Sequence, residues 1–220
     1  MTNLFAGILI FLAAYLLGSI PFGLLVARSQ GIDIREHGSR NIGATNVWRV
    51  LGKKWGLTTF ILDVLKGVLA VLLAKWIATH FFPHTFRDLT FAGIIAALGC
   101  IIGHTFPLWL GFKGGKGVAT SLGVILGMMP VASVIVLAIW ALVFKVSRYV
   151  SLASIVAAIA LPVVVVALLL VGNLHGWGNF YFACAAAILV IRRHRDNINR
   201  LVQGTENRFG TPKPPEEPAP

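Results

Sequence analysis

Long apolar runs along this chain are separated by short polar segments. Residues 4–27, 57–77, 90–110 and 152–171 each supply about the 20 apolar residues a helix needs to cross a bilayer. Residues 180–191 form a shorter run without a charge. Residues 118–144 fit either one long helix kinked at Pro130 or two short helices that turn at 127–130, because proline interrupts a helix from within but starts one readily. Three polar segments follow the ends of apolar runs. They are 38–46 (Gly-Ser-Arg-Asn-Ile-Gly-Ala-Thr-Asn), 111–120 (Gly-Phe-Lys-Gly-Gly-Lys-Gly-Val-Ala-Thr) and 194–200 (His-Arg-Asp-Asn-Ile-Asn-Arg).

Charge sets the orientation. The chain is 57% hydrophobic and 12% charged, against about a quarter charged in soluble domains, so it reads as an all-α integral membrane protein. Its net charge of +11 would suggest nucleic acid in a soluble protein. In a membrane protein the excess marks the cytoplasmic face and anionic ligands, and no nucleic-acid partner is expected. With a turn at Pro130 there are seven crossings, some of them short or broken, with the N-terminus outside and the C-terminus inside. Nearly all of the 19 Lys and Arg residues then collect in the cytoplasm, together with the three polar segments. One long helix would instead send Lys145, Arg148 and the C-terminal basic cluster outside. The N-terminus lacks a basic leader and a cleavage site, so it reads as a first span. Residues 1–203 form one membrane domain, and the proline-rich stretch 204–220 is expected to be a disordered cytoplasmic tail. Cys100 and Cys184 sit in apolar runs and are read as packing residues. Acidic residues are too scattered to suggest a metal site.

The polar segments are rich in anion-binding groups. Lys116 lies in a glycine-rich stretch ahead of an apolar helix, where free N–H groups and the helix dipole favour an anion. The spacing is not that of a Walker A loop, since Gly117 stands where Ser or Thr should be. The plainer alternative is a basic loop that holds lipid head groups, which has no need of four glycines. In 38–46, Ser39, Asn41, Thr45 and Asn46 offer hydrogen bonds, and Arg49 follows. The plainer reading there is that Thr45 or Asn46 caps an interfacial helix at 47–55, which is compatible with ligand binding. Asp63 and Lys66 share one face of an apolar helix and read foremost as a structural ion pair. His194, Asn197 and Arg200 recur at helical spacing, and His104 reads as packing or loop support.

Together these segments resemble the membrane-integral bacterial acyl-phosphate:glycerol-3-phosphate acyltransferases, the PlsY type. The resemblance rests on 38–46, 111–120 and His194-x-x-Asn-Ile-x-Arg-Leu-x-x-Gly-x-Glu206. It also includes Gly18-Ser-Ile-Pro-Phe-Gly23 and Tyr149-Val-Ser-Leu-Ala-Ser154, so it spans residues 18–206. Arg40 departs from the pattern, which often has Gly there. The resemblance implies a seven-helix fold in the bacterial inner (plasma) membrane with its active site facing the cytoplasm. Acyl phosphate and sn-glycerol 3-phosphate are the implied substrates, lysophosphatidic acid and phosphate the products, and no cofactor or metal is needed.

Residue by residue, the resemblance implies that Ser39, Thr45, Asn46, Arg49 and Lys116 form the phosphate-binding and catalytic site. Asn41 and the backbones of Gly114, Gly115 and Gly117 would bind substrate. Ser151 would help hold it, His194, Asn197 and Arg200 would orient the glycerol phosphate, and Glu206 would support the third segment. The fatty chain would lie between apolar helices, in contact with membrane lipid. No His-x4-Asp acyltransferase box is present, since Asp88 follows His84 one residue too early. An organic-phosphate transporter is the main competing class, but it needs polar access on both sides, and the polar segments gather on one. A lipid-binding scaffold is the third class; it would tolerate Gly→Ala changes and show no turnover.

Overall fold

The structure, a computed structural model, describes residues 2–86 and 88–210. Among these residues there are α-helices, two 3-10 turns and no strand. The first apolar run forms α1 (Thr2–Gly18) and α2 (Phe22–Arg28) rather than one helix. The break falls at Pro21, which has no N–H to continue the ladder. A short interfacial helix, α3 (Ala44–Leu51), precedes the long α4 (Lys53–Phe81). The helix expected at 47–55 is therefore displaced. Gly52, at φ 87°, ends α3, and Trp55 belongs to α4. Capping by Thr45 or Asn46 is not found either, since Gly43 occupies the N-cap without a side-chain hydrogen bond.

Then come α5 (Leu89–Thr105), α6 (Val118–Met128), α7 (Pro130–Ser147), α8 (Val150–Leu170), α9 (Gly178–Arg193) and α10 (Arg195–Val202). The ambiguous run 118–144 is thus two helices. Met129 leaves helical geometry and Pro130 takes the first position of α7, where its missing N–H costs nothing.

Residues from α1 and from α4 through α9 share one apolar core, which includes Ile10, Val71, Ala96, Val124, Val136, Leu161 and Phe182. α1 packs on α5, α4 on α6, and α7 on α8. Small residues set these crossings. A Cβ on Gly103 would stand 2.2 Å from Tyr15 O, and one on Gly123 2.0 Å from Val64 O. In lipid, such close backbone approach replaces the hydrophobic drive that packs helices in water. Large apolar side chains face outward on the same helices, among them Leu69, Leu142, Val163 and Leu170. Among the described residues, five segments are long and apolar enough to cross a membrane: Asn3–Arg28, Lys53–Phe81, Leu89–Leu110, Pro130–Ser147 and Val150–Leu170. α6 is apolar but shorter.

A second, smaller cluster holds the interfacial part. Leu24, Ala27, Ile34, Ile42 and Val47 pack α2, the turn at Ile34–Glu36 and α3 together, which fixes the segment 38–46 beside the bundle. At the other end of the chain, residues 204–210 fold back. Phe209 N–H donates to Arg148 O (2.8 Å), and its ring meets Trp48 and Phe144 edge to face, each with centroids 5.4 Å apart. The tail expected from residue 204 is therefore packed as far as 210; residues 211–220 lie outside the described residues.

Candidate active site

One cavity of about 460 Å³ joins the three polar segments. Ser39, Asn41, Thr45, Asn46, Arg49, Lys116, Gly117, Ser151, His194, Asn197, Arg200 and Glu206 all line it. Its other end is apolar, built by Ile125, Val136, Trp140, Ala157, Leu161 and Ala187. Leu57, Phe60 and Leu137 line the cavity while staying exposed, so it opens sideways towards the bilayer side of α4 and α7. A polar head with an apolar tail would fit this shape.

Gly114 and Gly115 are the exceptions among the expected site residues. Neither lines the cavity. Gly114 N–H donates to Thr105 O and Gly115 N–H to His104 O, each at 3.1 Å, so both donors are spent on the end of α5. Their carbonyls accept from Arg193 Nη2 at 3.1 and 3.2 Å. Glycine is needed there for space. A Cβ on Gly114 would lie 2.2 Å from His104 O, and one on Gly115 would lie 2.1 Å from His104 Nε2. The edge with free backbone donors lies further on. Gly117 adopts φ +78° and opens α6, and Val118 and Ala119 line the cavity beside it. The first backbone bond of α6 runs from Ser121 N–H to Gly117 O (2.7 Å), so the N–H groups just before it are available to an anion.

Lys116 Nζ donates to Asn197 Oδ1. Burial pulls the Lys116 ammonium down to about 8, against the opposing pull of Glu206. Asn197 Nδ2 donates to Glu206 Oε1 (2.6 Å), so both ends of its amide are fixed. Glu206 also accepts from Ser151 Oγ (2.7 Å) and Arg200 Nε (2.7 Å). Burial alone would raise its carboxyl, but these hydrogen bonds outweigh burial and hold it below the usual carboxylate range. Glu206 thus ties α8 to α10 and, through Asn197, orients Lys116. Ser151, expected to hold substrate, spends its proton on Glu206.

His194 stands at the junction of α9 and α10. Its Nδ1 lies 2.8 Å from Val190 O. A carbonyl can only accept, so Nδ1 carries the proton and Nε2 keeps a lone pair. Burial, with Lys116 nearby, pushes the ring down to about 4, which makes it neutral at physiological pH.

Asn46 is buried and fully engaged. Its Oδ1 accepts from Ser39 N–H (2.8 Å), and its Nδ2 donates to His37 O (3.0 Å) and Asn41 O (2.9 Å). It organises the loop rather than offering a free group. Asn41 Oδ1 accepts from Gly43 N–H (2.8 Å), closing a turn. Arg40 holds φ 58°, the left-handed conformation that favours the glycine often found at this position in the resembling family.

The expected site residues do not include Trp48 and Phe209, which line the cavity, or Arg193, which pins the second loop. Asp63, read as the ion-pair partner of Lys66, and His104, read as packing or loop support, hold those places and also line the cavity. Arg193 adjoins His194, and its place directly before the third segment is the signal that points to it. Phe209 lies in a stretch whose composition reads as disorder and gave no signal.

A family model described as glycerol-3-phosphate acyltransferase matches residues 8–204. A curated glycerol-3-phosphate acyltransferase of Geobacter sulfurreducens is 46% identical over 200 residues, covering 89% of this chain and 94% of the relative. One from Desulforamulus reducens is 45% identical over 207 residues, covering 94% and 96%. The fold is similar to a crystal structure of PlsY (YgiH), an integral membrane glycerol 3-phosphate acyltransferase, in its glycerol 3-phosphate form. The TM-score is 0.78 and the identity 44%, covering 96% of this chain and 97% of that one. A lysophosphatidic acid form of the same protein matches with a TM-score of 0.76. With most of its length matched by the family model, and with a multi-pass helical bundle around one head-and-tail cavity, this chain belongs to the integral membrane glycerol-3-phosphate acyltransferase family.

Proposed function

We propose that this protein transfers a fatty acyl group from acyl phosphate to the sn-1 hydroxyl of glycerol 3-phosphate. The products are 1-acylglycerol 3-phosphate (lysophosphatidic acid) and inorganic phosphate. The carrying observation is a cavity with Lys116, Arg49 and the start of α6 at one end and an apolar, laterally open end at the other. Both proposed substrates bear phosphate, and the donor adds a fatty chain.

In this reading the glycerol hydroxyl oxygen attacks the acyl carbonyl carbon. A new C–O ester bond forms, the bond from that carbon to the phosphate oxygen breaks, and the departing phosphate takes up the hydroxyl proton. An acyl phosphate already has a good leaving group, so no acyl-enzyme is required. Positioning and charge stabilisation then supply the rate. Lys116, Arg49 and the first turn of α6 stabilise the phosphoryl charge. His194 Nε2 accepts a hydrogen bond from the acceptor's glycerol portion and orients it. A ring held at about 4 is a weak base, whereas phosphoryl groups titrate near about 6, which favours phosphate as the proton acceptor. Asn197, Arg200 and Glu206 hold Lys116 and the third segment in place. Ser39, Asn41 and Thr45 complete the polar end, and the carbon chain lies along α6, α7 and α8.

We also propose seven crossings in the bacterial plasma membrane, with the N-terminus outside and the active site in the cytoplasm. The residues before α6 and the end of α7 both meet the polar end of the cavity, which supports a reversal at Met129. The membrane domain in this reading extends through the packed residues 204–210.

The test is turnover by purified protein. Acyl phosphate and glycerol 3-phosphate should yield lysophosphatidate and phosphate in equal amounts, while acyl-CoA and acyl carrier protein should yield none. Turnover with a thioester donor and none with acyl phosphate would overturn the donor assignment.

A further inference from the structure

Behind the glycine-rich loop lies a polar cluster that the proposed chemistry does not use. Asp63, Lys66 and His104 are 2%, 2% and 5% exposed. Lys66 Nζ lies 2.7 Å from Asp63 Oδ1, 2.9 Å from His104 Nδ1 and 2.9 Å from Ile20 O. An ammonium has protons and no lone pair, so it can only donate to the histidine nitrogen that faces it. His104 Nδ1 must therefore accept, and the ring proton sits on Nε2.

That N–H has a particular setting. Nε2 abuts Gly115 so closely that a methyl there would lie 2.1 Å away. His104 lines the cavity that holds Lys116 and the start of α6. Among the described residues Nε2 makes no hydrogen bond, and it keeps a little exposure rather than being sealed in. A ring donor left without a protein partner, on a residue that lines the cavity, is open to a ligand acceptor. We propose that His104 is a substrate-binding residue whose Nε2–H donates to a phosphoryl oxygen of the anion held at the start of α6. The Lys66–Asp63 pair acts through it as a positioning device that fixes the ring's proton and orientation. This rests on the reading that the cavity takes phosphorylated substrates. Either acyl phosphate or glycerol 3-phosphate can supply the oxygen.

The test compares His104→Gln, which can place an amide N–H near Nε2, with His104→Met, which cannot donate. Hydrogen bonds to charged groups are worth roughly 10- to 100-fold in affinity. His104→Met should raise the inhibition constant of inorganic phosphate by about that factor. It should raise the KM of whichever substrate the ring touches in step, and barely change the other's. That split identifies the source of the phosphate. His104→Gln should recover most of the loss. Equal losses in the two variants, or an unchanged phosphate constant in His104→Met, would overturn the proposal.

Because His104→Met leaves Lys66 short of an acceptor and can unfold, a second measurement uses wild-type protein. With histidine ring nitrogens labelled with ¹⁵N, and His104 assigned by its absence in His104→Gln, NMR should show a bare Nδ1 and a protonated Nε2. The Nε2 signal should move on adding inorganic phosphate. A proton on Nδ1, or no response at saturating phosphate, would reject the role. Absence of wild-type turnover would instead sink the acyltransfer reading, while the phosphate response would still decide the question for His104.

Discussion

The two glycine-rich loops look alike in sequence and are held in opposite ways. The loop at 38–46 is held from within. Asn46 gathers Ser39, His37 and Asn41 around one buried amide, and Gly38 (φ 59°) and Arg40 (φ 58°) supply the left-handed turns. The loop at 113–117 is held from outside. The end of α5 takes its N–H groups, Arg193 takes its carbonyls, and the His104 ring fills the space against Gly115. Glycine serves backbone twist at Gly38 and Gly117, and close approach at Gly114 and Gly115. The first loop is a folding unit with cavity-facing groups on its surface. The second is a thin plate pressed onto the bundle, which leaves Lys116 and the start of α6 as its working edge.

The comparison predicts different kinds of damage. The largest effect belongs to the working edge. Lys116→Ala should lower kcat by about 10²–10³ at saturating substrates with little change in the melting temperature. Near-normal turnover would remove Lys116 from the chemistry. The same residue sets a pH limb. Burial holds the Lys116 ammonium at about 8, so its charge is present below that pH and lost above it. kcat/KM should fall as pH rises through about 8. Lys116→Arg should move that limb upward, because guanidinium stays charged. An alkaline limb unmoved by Lys116→Arg would assign it to another group.

The hub of the first loop should behave in reverse. Asn46→Ala strands the backbone groups of Ser39, His37 and Asn41, at a cost of about 2 kcal/mol. The melting temperature in detergent should drop together with turnover. A catalytic defect at unchanged stability would show that Asn46 works on substrate rather than on the loop. The smallest effect is a gain. Arg40→Gly relieves a left-handed conformation and should stabilise the protein by about 1 kcal/mol, read as a small rise in melting temperature. A loss would mean that the Arg40 side chain contributes more than the strain it imposes.

The apolar helices were legible because crossing a bilayer demands length and apolarity, and both are written in 57–77, 90–110 and 152–171. Pro130 left two readings open, and charge favoured the one observed in the helices. Pro21 was read over, since an apolar run around a single proline still looks like one span. At the site, twelve expected residues meet in one cavity because polar groups in an apolar chain stand out. Gly114 and Gly115, expected to offer backbone to substrate, spend their N–H groups on the end of α5, and a glycine in sequence does not say whether φ or space requires it. The engagement of Ser151 and Asn46 depends on partners 55 and 7 residues away. Phe209 gave no signal, because its neighbours Trp48 and Phe144 are far along the chain.

The central claim is that the shape of the second loop, which places Lys116 and the start of α6, makes the site, and that basic charge in general does not. It is tested most directly by measuring kcat/KM of purified Gly115→Ala beside Arg35→Ala. The first adds one methyl and no charge, but forces the loop away from His104. A displacement of about 1 Å at a reacting centre can cost about 10² in rate, and a loss of that size is expected with the protein still folded. Arg35 is exposed, pairs with Asp33 at 2.5 Å and does not line the cavity. Surface pairs of this kind contribute little, so Arg35→Ala should stay close to wild type. The reverse ranking, with Arg35→Ala the more damaging, would contradict the account and leave a basic lipid-binding surface in its place.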